Sequence, residues 1–221
     1  MRSASIKVTS SEKNKQVSRM GDIYRHAIYV ISWMGEPDEH CHVDLIFDVI
    51  RAIRPHLQAW SSFFHMNFLV NSLEGRKWIE RQPSLCQPDP PESNGNVTWD
   101  ALKWVMDCDY WTRIWTIQER VAARSLELNI FVAGSARATF ADITSFFALF
   151  DTSRDWLMVS PPGSIPGELW LKLMGKISVF LGLIQASSYK WNAHPMRIVL
   201  IATYCTASDP RDMIYGLQGV S

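Results

Sequence analysis

Ile28-Tyr29-Val30-Ile31-Ser32-Trp33-Met34, closed by Gly35 and Pro37, is the stretch on which the fold turns. It is an unbroken β-prone run ended by two turn formers, and it reads as a strand buried on both faces of a parallel sheet. The residues before it have helical spacing. Thr9 and Glu12 form a capping box, and Val17, Met20, Tyr24 and Ala27 mark one face of a helix ending near His26. Helix followed by buried strand predicts an α/β architecture.

Downstream, Ile46, Phe47, Ile50, Ile53 and Leu57 repeat at helical spacing from Val43, so a second helix should pack on that sheet. Residues 82–96 hold Pro83, Pro88, Pro90, Pro91 and Gly95 and read as a loop between two blocks. Thr98 or Asp100 starts a helix through Trp99, Leu102, Val105 and Met106, with a break at 107–109. Leu126, Leu128 and Ile130 alternate with polar neighbours and lead to Val132 and Gly134, a strand with a turn behind it; Phe140 to Phe150 then returns to helix. A second loop at 153–167 precedes a helical stretch from Leu169 to Ile184. Near the end, Asp209-Pro210-Arg211-Asp212 supplies a capping acid, a first-turn proline and a further acid ahead of Ile214, Tyr215 and Leu217. The expected organisation is a domain over 1–150 and a helical extension over 151–221.

Composition narrows the function. At 221 residues and 47% hydrophobic content the chain can bury a substantial core. Lys plus Arg equals Asp plus Glu at 22 each, so no net field draws it to nucleic acid or anionic lipid. Cys41, Cys86, Cys108 and Cys205 lie far apart with no C-x-x-C pair, which argues against a disulfide framework or a zinc knuckle. Residues 1–7 lack the apolar region of a secretory signal, and the greasiest stretches are too short or too charged to cross a bilayer. A cytoplasmic location is expected.

The densest chemistry lies in Asp109-Tyr110-Trp111-Thr112-Arg113-Ile114-Trp115-Thr116-Ile117-Gln118-Glu119. On a continuous helix Trp111, Trp115 and Gln118 would share a face, and Trp115 and Glu119 would lie one turn apart. The plainer account is an amphipathic helix that buries its tryptophans and leaves Arg113 and Glu119 in water. Elsewhere signals are weak. In His40-Cys41-His42 adjacent side chains point apart and no second cluster completes a metal site, so no metal is expected. Nothing brings His194 to a cysteine, and capping explains the acids around Pro210.

Four segments, in order, resemble the fungal heterokaryon-incompatibility (HET) domain. Residues 12–27, with Gln16-Val17, Met20-Gly21 and Ile23-Tyr24, are similar to its helix with a Q-V, M-G and I-Y signature. Val30 to Glu36 is similar to V-x-x-W-L-G-E, with Met34 in place of leucine. Tyr110 to Glu119 resembles Y-W-x-R-x-W-x-x-Q-E at every fixed position, and Asp209 to Leu217 is similar to D-P-R-D-K-I-Y-A-L. One departure stands out: family members begin with a strand and an I-D-x-x-C-I-N-Q segment, where this sequence offers Ser5-Ile6-Lys7-Val8. An N-terminally truncated or degenerate copy would look this way.

The resemblance implies a role in self/non-self recognition and programmed cell death. HET domains are similar to Toll/interleukin-1-receptor-type (TIR) domains, which implies a flavodoxin-like parallel sheet flanked by helices. In the enzymes of that group a W-x-x-x-E arrangement supplies the glutamate that cleaves NAD, and Trp115 with Glu119 has that spacing. By this resemblance Glu119 is the catalytic candidate, Trp111 or Trp115 would stack on a planar ring, and Arg113 would pair with a phosphate. NAD would be a substrate, with no bound cofactor. The competing implication is a non-catalytic adaptor that acts by self-association or by contact with a nucleotide-binding, repeat-containing receptor, and a third is an inactive fragment.

Overall fold

The computed structural model describes residues 19–53, 75–86, 97–122, 125, 127–152, 171–172, 175, 203 and 205–218. Residues 19–26 are helical (α1), and Ala27 N–H still donates to Ile23 O before the chain extends. Strand β1 spans Val30–Gly35. Helix α2 follows at Val43–Ala52, with α3 over residues 75–80 and a short α4 at Pro83–Cys86. Next come α5 at Val97–Asp107, a 3-10 turn at Asp109–Trp111 and α6 at Trp115–Ala122. Strands β2 (Asn129–Ala133) and β3 (Ala136–Thr139) lead into α7 (Phe140–Thr152), and α8 covers Asp212–Gln218.

The sheet is mixed and three-stranded, in the order β1-β2-β3. Strands β1 and β2 are parallel, with Val30 opposite Asn129 and Trp33 opposite Val132. The β2–β3 pair is antiparallel, and Gly134 opens the connecting turn at φ 54°. That left-handed conformation suits glycine. An added Cβ at residue 134 would also press on Pro37, at 3.2 Å from its Cδ.

Helix α2 exists because Val43, Ile46, Phe47, Val49 and Ile50 form one buried stripe, with Asp44 in the first turn and Arg51 in the last complementing the helix dipole. It packs on α5, which buries Trp99, Ala101, Leu102, Val105 and Met106, and on β3 and α7. Trp99 is buried without an orphaned donor because its indole N–H reaches Leu85 O at 2.9 Å. Helix α7 starts in a reciprocal cap: Thr139 N–H donates to Asp142 Oδ2 at 2.9 Å, and Asp142 N–H donates to Thr139 Oγ1 at 3.1 Å. Its Phe140, Ile143, Phe146, Phe147 and Phe150 close the core under the sheet.

The chain is thus α/β, a small mixed sheet flanked by helices. Strand β1, however, is not buried on both faces. Val30, Ser32 and Met34 point into the core, while Ile31 is 68% and Trp33 52% exposed. Apolar residues at successive positions imitate a doubly buried strand, whereas the described helices cover one face. Strand β3 is an addition to the expected pattern: in Ala-Arg-Ala-Thr only Thr139 favours a strand, and the segment is held by pairing with β2 after the Gly134 turn. The second strand starts at Asn129, after the predicted Leu126–Leu128 alternation, and Pro83–Cys86 forms a helical turn inside the expected loop. The Thr9–Glu12 cap and most of the Leu169–Ile184 stretch lie outside the described residues.

Candidate functional site

Two buried rings anchor the signature segment. Trp111 stacks on Phe131 of β2 at 5.3 Å between centroids, and Tyr110 meets the same ring edge-on at 5.2 Å. The Trp111 indole N–H donates to Val105 O. The Tyr110 hydroxyl shares a hydrogen bond of 2.8 Å with Ser32 Oγ, which also donates to Asn129 Oδ1 at 3.0 Å. These contacts fasten the 3-10 turn to the sheet.

The segment is not one helix. After Trp111 the backbone opens, and Arg113 forms a parallel bridge with Thr206: Ile114 N–H donates to Thr206 O at 3.1 Å, and Thr206 N–H donates to Thr112 O at 2.6 Å. Helix α6 begins only at Trp115. The expected shared face of Trp111, Trp115 and Gln118 is therefore replaced by two separate pieces, because Thr112 O and Ile114 N–H bond to Thr206 in the C-terminal segment. Trp115 and Glu119 do lie one turn apart on α6, each half-buried.

Helix α8 completes the arrangement. Gln118 Nε2 donates to Tyr215 O at 2.8 Å, and Gly216 lies against fully buried Ile114, where an added Cβ would come within 2.7 Å of Ile114 Cγ1. Gly216→Val would gain some helix propensity but force that wall apart. The overpacking cost, about 1–3 kcal/mol, exceeds the gain, so a lower urea midpoint is expected. Asp209 stabilises the entry to α8, accepting from Arg211 N–H at 3.0 Å and pairing with the Arg211 guanidinium at 2.7 Å.

Glu119 receives one partner from a distant segment of the chain. The Tyr24 hydroxyl of α1 donates to Glu119 Oε1 at 3.2 Å, across 95 positions. Burial first, then the Glu119 charge and this hydrogen bond, hold the Tyr24 phenol well above the ordinary tyrosine range, while the Arg113 guanidinium acts in the opposite sense. Tyr24, Arg113 and Glu119 therefore share one electrostatic neighbourhood. Arg113 is exposed.

Trp111 is placed differently from Trp115. At 7% exposure, with its ring on Phe131 and its N–H engaged, it is accounted for as core. Tyr24 was visible in sequence as a member of the I-Y signature and of an α1 face, yet neither observation pointed to Glu119. Only a contact between distant segments exposes that role.

Beside the site, burial pushes the Cys108 thiol up to about 11. A folded value above the unfolded 9.0 contributes stability that is complete below pH 9 and is lost as pH rises toward 11. Denaturation midpoints should hold level from pH 7 to about 8.5 and then fall, less steeply in Cys108→Ala. None of the four cysteines is in a disulfide. Among the described residues no three His, Cys, Asp or Glu side chains group as a metal site, and no helix is long and apolar enough to cross a membrane.

An α/β module in which a split tryptophan-rich segment joins α1, the sheet and a C-terminal helix is the class defined by these contacts. Residues 3–119 match the family model described as heterokaryon incompatibility protein (HET), and the chain belongs to that family. Comparison with curated proteins and with solved structures returns no match.

Proposed function

We propose that this chain is a heterokaryon-incompatibility effector with a flavodoxin-like, TIR-like core that cleaves NAD in the cytoplasm when several copies assemble. The observation carrying the proposal is the half-buried Glu119 carboxylate, held by the Tyr24 hydroxyl and neighboured by Arg113. Cleaving the bond between ribose C1′ and the nicotinamide nitrogen sends the bonding electron pair to the ring. Nicotinamide thus leaves neutral without an acid, and positive charge develops on the sugar. Glu119 stabilises that charge and binds ribose hydroxyls, Trp115 offers an aromatic surface one turn away, Arg113 takes a phosphate, and water completes the product.

Expression in a filamentous fungal host tests this reading. Wild-type chain should lower cellular NAD and kill, and Glu119→Gln should do neither. Killing that survives Glu119→Gln with NAD intact would replace the enzyme by an adaptor.

The adaptor reading has its own support, since Ile23, Ile28, Tyr29, Ile31 and Trp33 are all exposed within eleven positions. An apolar stretch of this kind serves self-association or docking to a repeat-containing receptor. On the self-association account, Ile31→Lys with Trp33→Lys should reduce the sedimentation coefficient of the concentrated chain to that of a monomer. An unchanged value would remove this surface from assembly.

A further inference from the structure

Among the described residues of α1, Arg19, Asp22, Ile23, Arg25 and His26 are exposed, whereas Gly21 is buried and Tyr24 half-buried. Gly21 and Tyr24 lie at i and i+3, on the side of α1 that faces the protein. Charges on the outer side compensate locally, for Arg25 pairs with Asp22 at 2.8 Å. The Tyr24 hydroxyl is thus the polar group that α1 delivers inward, and it ends on Glu119 Oε1.

A tyrosine that served packing alone would not need its oxygen at this place, since phenylalanine fills nearly the same volume. A glutamate on a helix has three rotatable bonds, and fixing it in one orientation opposes its side-chain entropy. A donor supplied from a separate element reduces that freedom before any ligand arrives, and a carboxylate already aimed loses less on reaching the transition state. The donor also stays a donor. Burial and the Glu119 charge oppose phenol ionisation, so the hydroxyl proton remains available throughout the physiological range.

We infer that Tyr24 is a positioning residue for Glu119: its hydroxyl holds Oε1 and so fixes the orientation in which the carboxylate meets the sugar of a ribosyl substrate. This deepens the carboxylate reading above and rests on it. No bond to Tyr24 forms or breaks, and it passes no proton to the leaving nicotinamide. Its effect falls on the orientation of Glu119, and so on turnover more than on binding of the phosphate arm near Arg113.

Two measurements on the full chain test this. The first is a pH titration of ¹³Cζ-tyrosine NMR signals, with Tyr24 assigned through bonds from its sequentially assigned backbone in the wild-type chain. In wild type the Tyr24 signal should stay that of a neutral phenol while exposed tyrosines ionise, and Glu119→Gln should bring its ionisation to lower pH. A Tyr24 titration unchanged by Glu119→Gln overturns the contact, and this result stands even where Tyr24→Phe fails to fold. The second is steady-state NAD cleavage by Tyr24→Phe with its urea midpoint alongside. The expected result is kcat reduced about tenfold with KM within twofold of wild type and stability little changed. Wild-type kcat in Tyr24→Phe overturns the positioning role while leaving Glu119 as the catalytic carboxylate. A rise in KM alone overturns it in favour of a binding role, and no turnover by folded wild type removes both the role and the reading beneath it.

Discussion

Phe131→Ala lowers the unfolding free energy by about 3–5 kcal/mol, the range for deleting a large buried aromatic. The ring is fully buried and forms the hub of four: Trp111 stacks on it, Tyr110 meets its edge, and Phe140 lies 5.5 Å away, tilted. Removing it opens a cavity between β2 and the 3-10 turn. Collapse is difficult there, since Tyr110 is tethered to Ser32 and Trp111 to Val105. The loss is large against the ~5–15 kcal/mol that keeps a domain folded, so the urea midpoint and the near-ultraviolet dichroism of the tryptophans should fall together. Ile31→Ala, on the exposed face of the same sheet, provides the contrast and should change stability by no more than about 0.5 kcal/mol. Equal losses at both positions would mean that the outer face is covered as firmly as the inner one.

Glu119→Gln reduces kcat for NAD cleavage by roughly 10²–10³-fold, the effect of removing an electrostatic group aimed at charge that develops in the transition state. The substitution keeps shape and keeps an oxygen that can accept from Tyr24, so packing between α1 and α6 should survive. What disappears is the negative charge opposite the developing oxocarbenium ion. Glu119→Asp separates charge from reach: it retains the charge but withdraws it by one methylene, and its activity should lie between wild type and Glu119→Gln. Activity of Glu119→Gln equal to wild type would place the chemistry elsewhere.

Helical periodicity exposed α2, α5 and α7, and Gly134 and Gly35 marked strand ends where the backbone adopts positive φ. Those features are local, and a sequence displays local features directly. Strand β3 escaped notice because its stability comes from pairing with β2, and the one-sided burial of β1 because Ile31 and Trp33 are as apolar as the core residues between them. The W-x-x-x-E spacing within α6 was readable as one helical turn, but the break at 112–114 was not, since it depends on Thr206, more than ninety positions away. The matched motifs looked like separate stations along the chain. In space Tyr24 reaches Glu119, Ser32 reaches Tyr110, and Tyr215 O receives Gln118, so the first, second and fourth segments each close on the third.

The most direct measurement is the yield of nicotinamide and ADP-ribose from NAD incubated with the purified 221-residue chain over a rising range of protein concentration, with products separated by chromatography. Equal amounts of the two products are expected, with a rate that climbs faster than linearly as copies assemble. A chain shown to be folded by dichroism and cooperative unfolding that releases no nicotinamide at any concentration would contradict NAD cleavage by this protein.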